Sequence, residues 1–208
     1  MIGVNLSVEP ELDRRTHILG AAERAFARHG FHAATMNDVA AEARMSPGNL
    51  YRYFPSKDAI VAGLCERDQA EMAHDFTGLA GSGDLFAAIG QMLRKRLVGL
   101  PRERIQLVME IWAESSRNPV IAAIRGEIDA LVRSRLLALV AAAKRDGLAA
   151  ADLDDDMAVR AMLTTGFGLF KRRAHEPDFD GEAEIALALG LFTAVFRGQV
   201  RPYRGGMR

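Results

Sequence analysis

The chain holds a single cysteine, Cys65, and a single tryptophan, Trp112, in 208 residues. One cysteine excludes an internal disulfide and fits a reducing compartment. No apolar run approaches the roughly 20 residues needed to cross a bilayer. No basic segment leads into an apolar one at the N-terminus, so a secretory signal is not expected. Net charge is also missing, because Lys+Arg and Asp+Glu both total 27. Binding to nucleic acid would therefore depend on where the cations stand, not on their excess. The five histidines (His17, His29, His32, His74 and His175) show no His-Glu-x-x-His spacing and have no cysteine partners for zinc. No serine stands in a nucleophile-elbow pattern. The glycines of GSGDLFAAIG (81–90) follow no strand and precede no lysine at phosphate-loop spacing. No catalytic residue, metal or cofactor is assigned, and a cytoplasmic protein is expected.

What is present is helical periodicity. Residues 1–12 lack it and read as a disordered lead-in, with Glu9, Glu11 and Asp13 arguing against a basic arm. Ile18, Leu19, Ala22, Ala25 and Phe26 then repeat at helical spacing, and Gly30 suits the end of that helix. A helix is expected from Lys57 to about Phe76. Asp84 can cap another reaching about Leu100, and Pro101 opens one that runs to Arg117. Asn118-Pro119 starts a long helix closed by Gly147. The acidic run Asp154–Asp156 suits the positive end of a further helix dipole better than a metal. The last helix, from Glu182 to about Gly198, is apolar nearly all round, which a small monomer could hardly leave at its surface. No β-strand is convincing. The expectation is an all-α fold of about nine helices with a basic tail over 199–208.

The most informative stretch is TMNDVAAEARMSPGNLYRYFPSK, from Thr35 to Lys57. Thr35 and Asp38 form a Thr-x-x-Asp capping pattern, and Val39, Ala40 and Ala43 share one face. Ser46 is a second cap, with Pro47 at the first helical position. Leu50 and Phe54 point inward together, Asn49, Arg52 and Tyr53 outward, with Tyr51 at the boundary. A short helix with small polar residues at its start suits a DNA major groove.

From about Arg14 to Leu64 the chain resembles the N-terminal DNA-binding domain of the TetR family of bacterial transcriptional regulators. Gly30-Phe31, Thr35, Val39-Ala40, Ser46-x-Gly48, Leu50-Tyr51-x-Tyr53-Phe54 and Ser56-Lys57 fall at the family's spacing. The family usually has glycine in the turn where Arg44 stands. A residue with a Cβ costs about 1 kcal/mol at positive φ. Either the turn differs locally, or Arg44 is there to reach a phosphate, the reading we favour.

The resemblance implies a helix-turn-helix domain over 13–58 and an effector-binding and dimerisation domain over 59–198. It implies that Pro47, Gly48, Asn49 and Arg52 face base edges, joined by Asn37. Thr35, Ser46, Tyr51, Tyr53 and Lys57 would hold phosphates. A homodimer on a palindromic double-stranded operator is expected, bound at the bacterial nucleoid. Its interface would combine Ala158, Ala161, Met162, Thr165, Gly166 and Leu169 with Ala183, Ala186, Leu187, Gly190, Leu191 and Ala194. The glycines at 166 and 168, each costly inside a helix, suggest a close backbone contact or a bend. The resemblance also implies a pocket for an unidentified small-molecule effector. Its candidate lining is Phe86, Met92, Met109, Trp112, Phe167 and Phe170, with Glu110, Glu114 and Thr164 as polar anchors. The expected function is a ligand-released repressor. A DNA-binding architectural or cell-division protein without an effector is the alternative.

Overall fold

A computed structural model describes residues 8–79 and 83–201, with side-chain surroundings from Asp13 onward. Nine α-helices and no strand occur among the described residues. They are α1 (Val8–His29), α2 (Met36–Glu42), α3 (Pro47–Tyr53), α4 (Lys57–Leu79), α5 (Leu85–Leu93), α6 (Arg102–Glu114), α7 (Pro119–Arg145), α8 (Asp155–His175) and α9 (Gly181–Phe196). α1 begins at Val8, so 8–12 are helical rather than part of an irregular lead-in. Residues 1–7 and most of the expected basic tail, 202–208, lie outside the described residues.

The helix starts follow their caps. The Thr35 side chain accepts from the Asp38 N–H, and the Ser46 hydroxyl from that of Asn49. Asp84, Asp154 and Asp180 do the same for α5, α8 and α9. The Asn118 carbonyl Oδ1 takes the Val120 and Ile121 N–H groups at the start of α7. These side chains satisfy donors that have no partner inside the helix. The helix expected to run from 85 to 100 is not uniform. It passes at Arg94–Val98 into a π-helical turn, which admits one extra residue and keeps Leu97 fully buried.

The chain forms two compact units. One gathers the described residues up to Gln69 with Gln106–Arg125; the other gathers Ala70–Ile105 with the described residues from Gly126 onward. The first unit therefore extends beyond the 13–58 head and includes most of α6 and the start of α7. Its core is built from Ile18, Leu19, Phe26, Phe31, Val39, Leu50, Phe54, Ile60 and Leu64, all buried. Gly63 lets α4 lie close: a Cβ there would stand 3.0 Å from both Leu19 and Phe54. The second unit is centred on Leu85, Ile89, Leu97, Leu136, Val140, Val159, Ile185, Phe192 and Phe196. No polar or charged residue is fully buried among those described.

Candidate nucleic-acid interface

α2 and α3 present the polar residues that the sequence singles out. α2 ends in a Schellman turn, with the Met45 N–H bonded to the Ala40 carbonyl and the Arg44 N–H to that of Ala41, both at 3.0 Å. Arg44 occupies the left-handed position with φ 54°. The turn therefore keeps the backbone form that favours glycine, and the local-difference alternative for Arg44 drops out. The Arg44 side chain is exposed.

α3 holds its place through Leu50 and Phe54, which are 0% and 1% exposed. Ser46, Pro47, Gly48 and Arg52 stand in solvent and Asn49 is half-buried. Tyr51, not Tyr53, is the more open ring: Tyr51 is 49% exposed, whereas Tyr53 is half-buried and its carbonyl accepts from Arg15 at 3.2 Å. Arg15 also stacks on the Phe54 ring at 4.4 Å. Asn37 is exposed on the first turn of α2. The Ser46 hydroxyl accepts the Asn49 N–H at 3.3 Å, its one hydrogen bond among the described residues.

Two expected phosphate holders are otherwise engaged. The Thr35 hydroxyl donates to the Asp38 carboxylate at 2.6 Å while accepting the Asp38 N–H. A hydroxyl has one proton, so Thr35 has none left for a phosphate. The same contact holds the Asp38 carboxyl below the usual carboxylate range. Lys57 turns inward. Its Nζ donates to the carbonyls of Phe31, His32 and Ala34 and lies over the Phe31 ring at 4.4 Å. Burial pushes its pKa down, against the pull of Glu114, Asp58 and Glu110. Lys57 is a fastening of the α1–α2 corner.

Two expected pocket anchors belong to the same corner. Glu110 accepts the Phe31 N–H at 3.2 Å, and Glu114 accepts from Arg117 at 2.8 Å. Trp112 lies under the Arg125 guanidinium at 4.5 Å, and Met109 is half-buried in the same unit. In the second unit, Phe86 packs edge-on against Phe196 and Met92 and Phe170 flank the core. Thr164 and Phe167 are exposed. A cleft of about 430 Å³ is lined by Phe86, Gly147, Leu148, Ala149, Ala150 and Arg197, and of the expected lining only Phe86 borders it.

The expected dimer residues divide. Ala158, Met162 and Leu169 are buried in the protomer's own core, in one cluster with apolar residues of α5, α7 and α9. Ala161, Thr165, Gly166 and Ala194 are half-buried. Ala183, Ala186, Leu187, Gly190 and Leu191 are exposed along one face of α9. A Cβ at Gly166, Gly168 or Gly190 would meet nothing within 4 Å, so none marks a close approach within the described protomer.

Sequence reasoning missed His17, whose Nε2 donates to the Ala43 carbonyl at 3.0 Å. It also missed Glu42, held by Arg24 and Arg28 at 2.8 Å each. Their spacing on α1 could have suggested the pair, since residues four apart share a helix face.

A capped two-helix motif with its second helix open to solvent defines a helix-turn-helix DNA-binding regulator. Comparison with known proteins agrees. The family model described as "Bacterial regulatory proteins, tetR family" matches residues 18–64. The HTH-type transcriptional regulator UidR of Escherichia coli K12 is 30% identical over 188 residues, covering 86% of this chain and 93% of UidR. The HTH-type transcriptional repressor KstR of Rhodococcus jostii RHA1 is 28% identical over 169 residues, covering 77% of this chain and 65% of KstR. The structure of Salmonella enterica GusR superposes with a TM-score of 0.77 at 28% identity, covering 92% of this chain and 99% of GusR. The chain belongs to the TetR family of transcriptional regulators, which are DNA-binding proteins and not enzymes. No helix among the described residues is long and apolar enough to cross a membrane.

Proposed function

We propose that the protein is a homodimeric repressor that reads a palindromic operator through α3 and leaves it when a small molecule binds the domain over 59–198. It acts in the bacterial cytoplasm, at the nucleoid. The observation that carries this reading is the open face of α3. Pro47, Gly48, Asn49 and Arg52 line its outward side while Leu50 and Phe54 fasten it from beneath. Arg52 reads a guanine through its fork on O6 and N7, and Asn37 adds a contact from α2. Ser46, Tyr51, Tyr53 and Arg44 hold phosphates beside the backbone N–H groups of the helix starts. Two such heads reach successive major grooves about 34 Å apart, or a multiple of it. The effector acts only if it binds better to a head arrangement that no longer fits both grooves.

The test uses duplexes selected by the protein from a randomised library. Arg52→Ala is expected to relax the preference at one base pair of each half-site, by roughly tenfold to a hundredfold. An unchanged preference at every position would remove α3 as the reader. Protection of DNA flanking the protein's own gene, abolished by one member of a metabolite panel, would separate an effector-released repressor from a DNA binder without an effector.

A further inference from the structure

The turn between α2 and α3 holds a conflict that its own residues do not resolve. Arg44 sits at φ 54°, a conformation in which its Cβ crowds the neighbouring carbonyl and which glycine adopts freely. Every degree by which this turn relaxes re-aims α3. The Schellman bonds to Ala40 and Ala41 satisfy two of the last carbonyls of α2. The Ala43 carbonyl, immediately before Arg44, has no backbone donor among the described residues, and it is the one that His17 reaches from α1, 26 positions away in sequence. A carbonyl can only accept, so the ring carries its proton on Nε2. His17 is exposed and is followed by Ile18 and Leu19, which are buried at 0% and 6% exposure and anchor this part of α1.

The geometry points to His17 as the positioning residue of the recognition helix: by fixing the Ala43 carbonyl it holds the turn in a form that Arg44 disfavours, replacing the support a glycine would give. Pinning the carbonyl of residue 43 fixes the peptide plane that sets φ of residue 44. The α2–α3 angle is then set from α1, across the motif, rather than within the turn. The assignment rests on α3 being the DNA-reading helix, and the experiment separates the two claims.

His17→Ala and His17→Gln are made in the full chain, each also with Arg44→Gly. Amide exchange is read at Arg44 and Met45, and affinity is read on a duplex selected from a randomised library by the unsubstituted protein. For loss of one neutral hydrogen bond, His17→Ala is expected to speed exchange at both amides and weaken DNA binding about three- to tenfold. Glutamine, which keeps a donor at similar reach, restores most of both. With Arg44→Gly the effect of His17→Ala shrinks to less than about twofold, since the turn no longer needs holding, and that non-additivity is what a merely structural histidine would lack. Unchanged exchange at Arg44 and Met45 in His17→Ala overturns the assignment, as does an equal loss in both backgrounds. Faster exchange with DNA affinity untouched overturns the positioning role, whereas α3 falls as the reader only if Arg52→Ala also leaves the base preference unchanged.

Discussion

Lys57 closes the α1–α2 corner with one ammonium group. Three carbonyls, those of Phe31, His32 and Ala34, converge on it, and the rings of Phe26 and Phe31 lie beneath. An ammonium has three protons, so the inward contacts use all of them and none is left for DNA. Lys57→Met keeps the apolar stem and removes the donors. Hydrogen bonds to a charged group contribute about 1.5–3 kcal/mol, so a loss of roughly 2 kcal/mol is expected, seen as a fall in Tm of about 4–8 °C. The dependence of DNA affinity on salt should stay as steep as before, because no phosphate contact is lost. A flatter salt slope with unchanged Tm would return Lys57 to the DNA surface. The motif Ser56-Lys57 was legible in the sequence; its direction was not. Which way a lysine turns depends on carbonyls 23 to 26 positions away, and no local pattern encodes them. His17 escaped notice for the same reason.

Among the elements, α4 and the π-helical turn Arg94–Val98 are joined by charge. Asp75, its side chain 6% exposed, receives Lys95 and Arg96 at 2.5 Å each, and Glu71 binds Arg96 and Arg104 alongside. Burial alone would raise the Asp75 pKa, but hydrogen bonds from Lys95 and Arg96 outweigh it and hold the carboxyl below its ordinary value. A carboxylate whose folded pKa is depressed stabilises the fold above its unfolded pKa of about 4 and loses that contribution as pH falls through the folded value. Acid unfolding should therefore begin below about pH 4, and Asp75→Asn should lower stability at pH 7 while flattening that acid limb. An equally steep limb in the variant would place the acid sensitivity elsewhere. The starts of α2, α3, α5, α7 and α8 were readable, because a cap and its N–H lie within three residues of each other. The π-helical turn was not, since an extra residue in a helix leaves no mark on a strict 3.6 period. Nor was the buried side of α8. Ala158, Met162 and Leu169 are apolar and small enough for an interface between copies, and only the packing of the second unit assigns them to the protomer's core.

At the scale of the whole molecule, α9 is apolar on two sides and the protomer covers one. Ile185, Ala188, Phe192, Val195 and Phe196 are buried, while Leu187 and Leu191 remain 57% and 45% exposed, between Ala183, Ala186 and Gly190. Leucines flanked by small residues one helical turn apart form a surface that another helix can approach closely. Phe167, 41% exposed, adds an aromatic from α8. The same patch on a second copy, related by a two-fold axis, would cover both at once. We expect Leu187→Glu to leave helix content unchanged and to give a monomer in sedimentation at micromolar concentration, because each copy would bring a carboxylate into the apolar centre of the contact. DNA binding should then separate into two effects. Affinity for a single half-site stays near its original value, since α3 is untouched. Affinity for the full palindrome falls by about 10²–10⁴, because the second head is no longer delivered at high effective concentration by the first. Palindrome and half-site bound equally by the unsubstituted protein would show one head to be sufficient. A Leu187→Glu, Leu191→Glu double variant that still sediments as a dimer would show that the copies meet through another face.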